Sequence, residues 1–403
     1  MRQTTASLSR GRPPPKRPPI NLQGLWHNVG FRNFAYQLLV VGTIIGLAVF
    51  MVTNVQDALS KRGISTGFGF LFEEAGFDIG EALTGFESTD TFLLAYGTAV
   101  LNTLKVSVLG VVFATALGVI LGIARLSSNV LISKLSSTYV ELFRNTPLLV
   151  QVIFWYTIIT KMPHPKQAWS LSDWAFLSNR GLNVPWPAAN PVYFWTALAF
   201  ALACLSAILI VRWADARRRR TGHKIPVLWW NIVLVLAAPF LVWWFGGAPS
   251  ELVIPKFKGF NFVGGVSLSP EFLALLLGLS LYIAAFIAEI VRSGIQSVSR
   301  GQIEAAHAVC LSPGDTYRKV ILPQALRVII PPAAAQYVSL VKNSSLGVAI
   351  GYPELFNINN TIITLSGHTL EAIGMMMAIY LSISFTIAAI MNLYNRAVQI
   401  KER

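Results

Sequence analysis

Glu304-Ala305-Ala306-His307-Ala308-Val309-Cys310, followed after nine residues by Val320-Ile321-Leu322-Pro323, lies between two long apolar runs. Glu304 to Val309 reads as a short helix that presents alanine faces and one carboxylate. Proline lacks a backbone N–H and restricts the residue before it. Ser312-Pro313 and Leu322-Pro323 are therefore expected to stop helix and restart it. Cys310 carries a Cβ, which implies a turn there without positive φ. A polar stretch this helix-prone and this sharply bounded is more than a connection between membrane spans.

The surrounding chain is strongly apolar. Hydrophobic residues make up 54% of 403 positions and charged residues 12%, against about 25% charged in a soluble domain. That composition specifies an all-α polytopic membrane protein. Cys204 and Cys310 are too few for a disulfide framework, and Cys204 sits in an apolar run where packing is its expected role. The five histidines form no metal-ligand cluster in the sequence.

A span needs roughly 20 mainly apolar residues, and about eight intervals qualify: 37–55, 97–124, 143–160, 192–211, 226–246, 271–292, 328–350 and 372–395. The first lacks a small-residue cleavage site and reads as an anchor. With these boundaries about 23 of the 32 basic residues lie on one side and about seven on the other. The 212–224 loop alone holds Arg212, Arg217, Arg218, Arg219, Arg220 and Lys224. Acids show the opposite bias, with Asp57, Glu73, Glu74, Asp78, Glu81, Glu87 and Asp90 between the first two spans. Both termini and the Glu304 loop are thus expected in the cytoplasm, in a cytoplasmic (inner) membrane. The net charge of +14 is a topology signal with a lipid-headgroup contact, and not a nucleic-acid footprint. Trp169, Trp174 and Trp186, with Pro163, Pro165, Pro185 and Pro187, suit headgroup level better than a ligand platform.

Four further stretches carry physics. Gly110, Ala114, Gly118 and Gly122 repeat every four residues on one helix face, where small residues admit a close neighbour in lipid. Tyr139 to Gln151 places Glu141 and Arg144 one turn apart before Pro147 breaks the helix. In Tyr282 to Gly294, Glu289 stands one turn from Arg292, as a structural ion pair or as a lining of a solute path. Val341 to Gly347 puts Lys342, Asn343, Ser344 and Ser345 in an apolar span. That patch is either a pathway or interhelical glue, and Lys342 there is a match for a carboxylate, be it a substrate's, Glu289 or one on another subunit.

Glu304-Ala305-Ala306, Cys310, Val320 and Leu322-Pro323 reproduce the spacing of the EAA loop, with Cys310 at that motif's Gly and Val320 at its Ile. Together with 98–160 and 270–395, they resemble the permease subunits of polar amino-acid ABC importers. The enlarged layout is similar to general L-amino-acid and glutamate/glutamine/aspartate uptake systems. The resemblance implies a type I importer permease core with an inserted helical pair. It divides the chain into a basic Pro-rich cytoplasmic tail (1–36), a first span with an acidic periplasmic loop (37–96), a first permease-core segment (97–160), an insertion with two extra spans (161–269), a second permease-core segment that includes the EAA loop at 304–323 (270–395) and a cytoplasmic tail (396–403).

The resemblance also implies roles and partners. Glu304, Ala305, Ala306, Cys310, Pro313, Leu322 and Pro323 would couple to a separate ATPase, with Pro313 and Leu322-Pro323 as stiff joints. Glu289, Lys342, Asn343 and Ser344 are the candidate substrate path. A second homologous permease, two ATPase subunits and a periplasmic amino-acid-binding protein would complete the machine. The chain has no Gly-x-x-x-x-Gly-Lys-Ser/Thr loop to cradle phosphates, so ATP and Mg would sit on partner subunits and this chain would hold no cofactor. A stand-alone secondary transporter would call for inverted repeats and paired intramembrane carboxylates, and a membrane enzyme for clustered catalytic groups. Neither pattern is present in the sequence.

Overall fold

The structure, a computed structural model, describes residues 29–61, 67–82, 84–172, 174–223 and 226–398. Most of the 1–36 tail, Lys224 and the end of the 396–403 tail lie outside the described residues. The chain divides into two units at Phe68 and Gly69. The first contains one helix, α1 (Val29–Lys61), whose apolar side chains are exposed along its length.

The second unit is built around one buried helix. In chain order it holds α2 (Phe92–Ala124), α3 (Val130–Asn145), α4 (Leu148–Thr160), α5 (Pro191–Thr221), α6 (Val227–Phe245), α7 (Pro270–Gln296), α8 (Arg300–Ala308), α9 (Pro313–Thr316), α10 (Leu322–Asn343), α11 (Leu355–Ser366) and α12 (Thr369–Val398). Helix α7 is apolar nearly all round, the pattern of a helix enclosed by protein, and packs against α2, α3, α4 and α10. Phe272, Leu275, Leu279, Ile283 and Ile287 are wholly buried along it. The small-residue stripe of α2 faces α7. A Cβ on Gly118 would lie 2.7 Å from Ile287 Cβ, and one on Gly122 would lie 2.8 Å from the Ala288 carbonyl. The expected close neighbour is therefore α7 at Gly118 and Gly122, while a Cβ on Gly110 would lie 3.3 Å from Leu340 of α10.

Pro147 bends α3 and α4 by 104° into a broken pair. By length and composition six described helices can cross a membrane, or seven if that pair is one span. The expected count of eight is not reached. The interval 328–350 covers most of helix α10 and the 3-10 segment that follows it (Ser344–Ile350), and Gln336 and Lys342 within it, with Arg327 just before it, dilute the apolar character of the helix.

The inserted region is not purely helical. Eight short strands flank the α5–α6 hairpin: β1 (Trp169–Ser172), β2 (Ala175–Ser178), β3 (Gly181–Val184), β4 (Trp186–Pro187), β5 (Leu252–Val253), β6 (Lys256–Lys258), β7 (Asn261–Val263) and β8 (Val266–Leu268). They pair antiparallel as β1-β2-β3-β8, β4-β5 and β6-β7. Leu182 faces Leu268 across β3 and β8, so the module leads directly into Ser269, the N-cap of α7. The 69–91 segment meets the same end of the core through Phe70, Ile79 and Phe86, which cluster with Phe92, Tyr96 and Leu355.

Candidate functional site

The Glu304 stretch forms a projecting helical corner at the opposite end of α7. Helix α8 begins at Arg300, four residues before the expected start. Ala306 is buried and Ile303 packs on Val298, Ile321 and Ala325, whereas Glu304, Ala305 and His307 are exposed. The helix ends with Cys310 at φ +56°, in the left-handed region. The Cys310 N–H donates to the His307 carbonyl (2.9 Å) and the Leu311 N–H to the Ala306 carbonyl (3.1 Å). These two bonds satisfy the last carbonyls of α8 in the manner usually built on glycine. The expectation of an ordinary φ at Cys310 is thus wrong, because closing the helix takes precedence over the Cβ penalty.

Ser312 restarts helix as expected. Its hydroxyl accepts the Asp315 N–H (3.2 Å) and Pro313 occupies the first turn, where its missing N–H costs nothing. Lys319 bridges to Asp315 at 2.9 Å and holds that carboxyl below the usual range. Leu322-Pro323 does not stop the helix, contrary to expectation. Residues Tyr317–Ile321 widen into a π turn that runs into α10. The wider turn absorbs the residue that cannot donate. Val309, Tyr317 and Leu322 are 70%, 58% and 47% exposed, which leaves apolar surface around the exposed Glu304.

Glu289 lies just before this corner within an ion cluster. It pairs with Arg125 from the end of α2, with Arg292 at 2.5 Å and with Arg144 of α3 at 3.9 Å. Three guanidinium groups on three helices converge on one carboxylate. This geometry is that of an ion-paired joint between elements.

Lys342 is elsewhere, and the structure does not bring it to Glu289. With Ser345, Phe356, Met376, Met377 and Tyr380 it lines a groove of about 480 Å³. Among the described residues no carboxylate pairs with it. Ser344 is buried and donates to the Val341 carbonyl (2.7 Å), while Ser345 donates to that of Lys342 (2.8 Å). Both hydroxyls support the change from α to 3-10 helix. Asn343 is half-buried beside them.

Two buried polar networks went unmarked by the sequence. Glu354, with 0% exposure, caps α11 by accepting the Phe356 and Asn357 N–H groups and receives the Tyr380 hydroxyl at 2.8 Å. It thereby fixes a wall of the Lys342 groove. At the 69–91 end, Lys105 pairs with Glu81 and lies 4.2 Å from the Phe272 ring centroid. Ser269 donates to the other Glu81 oxygen at 2.5 Å. A lysine inside a span was the available signal for this second network.

Residues 223–401 match the family model described as "Binding-protein-dependent transport system inner membrane component". The chain is 44% identical to the permease protein YhdX of Escherichia coli (strain K12), over 93% of this chain and 96% of that protein. It is 40% identical to the general L-amino acid transport system permease protein AapQ of Rhizobium johnstonii, over 93% and 94%. Identity to the glutamate/glutamine/aspartate/asparagine transport system permease protein BztB of Rhodobacter capsulatus is 38%, over 96% and 99%. A solved amino acid ABC transporter aligns with 76% of this chain and 95% of its own at 20% identity and a TM-score of 0.45.

Proposed function

The chain belongs to the family of amino-acid ABC transporter permeases, and we propose that it forms half of a translocation path for L-amino acids driven by separate ATPase subunits. One observation carries the coupling half of this reading. Helix α8 is anchored by Ile303 and Ala306 yet presents Glu304 and Ala305 outward, beside exposed Val309, Tyr317 and Leu322. Such a mixed patch, one carboxylate amid apolar surface, fits a groove on another protein.

The mechanism is alternating access. ATP and Mg on the ATPase dimer close it, and the corner formed by α8, α9 and the π turn moves with the groove that holds it. Residues 298, 303, 321 and 325 tie that corner to α7 and α10, so its displacement tilts both helices. The Glu289 cluster then transfers the motion to α2 and α3. Coupling requires the corner to fit the two ATPase states unequally. Lys342, in its groove, meets the carboxylate that every amino acid carries. A second permease would supply the other half of the path, and an extracytoplasmic binding protein would deliver the solute. The basic bias of the loops supports cytoplasmic termini and a cytoplasmic location for the Glu304 corner. A stand-alone transporter is not favoured, since the relatives are named as permease proteins of an amino-acid ABC transporter and of amino-acid transport systems.

The deciding experiment is purification of the chain with its associated subunits, followed by ATP-driven uptake of labelled glutamate, leucine and arginine in proteoliposomes. Glu304→Ala should lower uptake about tenfold or more at unchanged abundance in the membrane. Full uptake by that variant would remove the coupling role, and uptake by this chain without any ATPase would remove the ABC mechanism.

A further inference from the structure

Helices α5 and α6 form a hairpin with arms of unequal length. At one end they are level. There the Tyr193 hydroxyl donates to the Pro249 carbonyl at 2.9 Å, and a Cβ on Gly246 would lie 2.6 Å from the Val192 side chain. Further along, Asn231 donates to the Ala207 carbonyl at 3.3 Å. Beyond that bond α5 continues to Thr221, whereas α6 reaches back only from Asn231 to Val227. At 1.5 Å per residue α5 therefore overruns α6 by about 15 Å. The 19 residues of α6 make about 28 Å, close to the ~30 Å hydrocarbon core of a bilayer. The overrun thus stands in the headgroup layer and just past it, at the end that the basic bias places in the cytoplasm.

The overrun carries Arg212, Arg217, Arg218, Arg219 and Arg220 with one acid, Asp215. Arg212, Arg217, Arg218 and Arg220 are exposed, and among the described residues no carboxylate pairs with them. Trp213, Arg217 and Arg220 fall at i, i+4 and i+7, on one face of α5. Side chains lean towards the N-terminus of their helix. Since α5 leaves the membrane C-terminus first, its arginines lean back towards the bilayer. Arg217 does so, with its guanidinium carbon 5.4 Å from the centroid of the Trp213 ring. Trp229 and Trp230, in the first turn of α6, are exposed at the same end of the hairpin, as aromatic residues are at headgroup level.

We propose that the Trp213 face of α5 is a binding site for an anionic phospholipid of the cytoplasmic leaflet. Arg217 and Arg220, one turn apart, hold its phosphate, as guanidinium forks do well. Trp213 packs at the glycerol level, and the acyl chains run along the hairpin over exposed Leu202, Leu205 and Leu209. A zwitterionic lipid offers the same phosphate but brings a second cation to a site already crowded with them, so the anionic lipid is preferred. An acidic protein surface in the cytoplasm would answer arginines that point away from the bilayer, and Arg217 points back to it. The bound lipid pins the arm that its partner helix leaves unsupported. The inference goes beyond the permease reading and requires only that α5 and α6 span the membrane.

The test uses the purified complex in nanodiscs of phosphatidylcholine doped with phosphatidylglycerol that carries a diazirine beside its headgroup. After illumination, lipid-bearing peptides are identified by mass. The expected adducts fall in 209–230, and are competed by plain phosphatidylglycerol but not by phosphatidylcholine or inorganic phosphate. R217Q/R220Q should lower their yield roughly thirtyfold, the product of about fivefold for each basic residue at the membrane surface. R217K/R220K keeps the charge without the fork and should retain most of it. R212Q/R218Q removes the same charge from other faces of α5 and should cost far less. Equal losses in the two glutamine variants, at equal abundance in the membrane, would reduce the site to a diffuse positive field and overturn the proposal. Absence of adducts from 209–230 would overturn it too, and so would equal labelling by a phosphatidylcholine that carries the same diazirine.

Discussion

Cys310 shows how far a single residue could be read. A cysteine where the EAA spacing has glycine pointed to a relaxed backbone, and the structure holds it at φ +56° with two carbonyls of α8 satisfied behind it. Sequence alone could not decide between the Cβ penalty and the helix-end bonds, because both are about 1 kcal/mol. Cys310→Gly should relieve the penalty and stabilise the corner by about 1 kcal/mol, seen as slower hydrogen exchange in 304–312. Faster exchange would mean that the thiol makes a contact worth more than the strain. Lys342 was legible as a costly cation, though not its groove, which depends on Glu354, at the start of α11, accepting the Tyr380 hydroxyl of the neighbouring α12. Lys342→Ala should raise the KM for amino-acid uptake about tenfold, with ATP hydrolysis by the complex retained. An unchanged KM would assign Lys342 to packing.

At the scale of elements, periodicity was the most reliable guide. The four-residue spacing of Gly110, Ala114, Gly118 and Gly122 foretold close helix packing on that face, and all four residues are buried. It could not say which neighbour, because that depends on α7 being enclosed by four other helices. A side chain at Gly118 meets Ile287 and the Ala284 carbonyl at once, so neither a rotamer change nor a small shift of one atom makes room. Gly118→Leu should cost about 1–3 kcal/mol or more by overpacking, lowering the melting temperature of the detergent-solubilised chain. A melting temperature like that of the unsubstituted chain would mean that α2 and α7 are not in close contact. The prolines were harder to read. Pro313 and Pro323 carry the same sequence signal, yet one opens a helix and the other sits within a continuous one. The difference lies upstream, where Ser312 caps a new helix and residues 317–321 widen an existing one.

For the whole molecule, span positions were legible because apolar length is a local property, while their number was not. Candidate 143–160 proved to be half of a broken pair, and 328–350 a mixed α and 3-10 element. The strands were not foreseen at all, since runs of two to four residues carry too little pattern to register. They make the insertion separable in one place. Helices α5 and α6 pack on each other, with Tyr193 donating to the Pro249 carbonyl at 2.9 Å and Asn231 to that of Ala207 at 3.3 Å. Their two ends return to one point, where the Ala188 N–H donates to the Glu251 carbonyl at 2.9 Å and β4 pairs with β5. A two-residue Asn-Gly turn can therefore replace 190–249 and close β4 and β5 as a hairpin. The shortened chain should keep α2, α7 and the Glu304 corner intact, and should still co-purify with its ATPase subunits at near-normal yield. Because α5 and α6 expose most of their apolar side chains, their removal costs the core little buried area, and any loss would fall on contacts outside this chain. Retained ATPase association with reduced uptake would place the hairpin at an interface within the complex or with lipid. Failure of the shortened chain to insert would show that the two helices are needed to thread the strand module across the membrane.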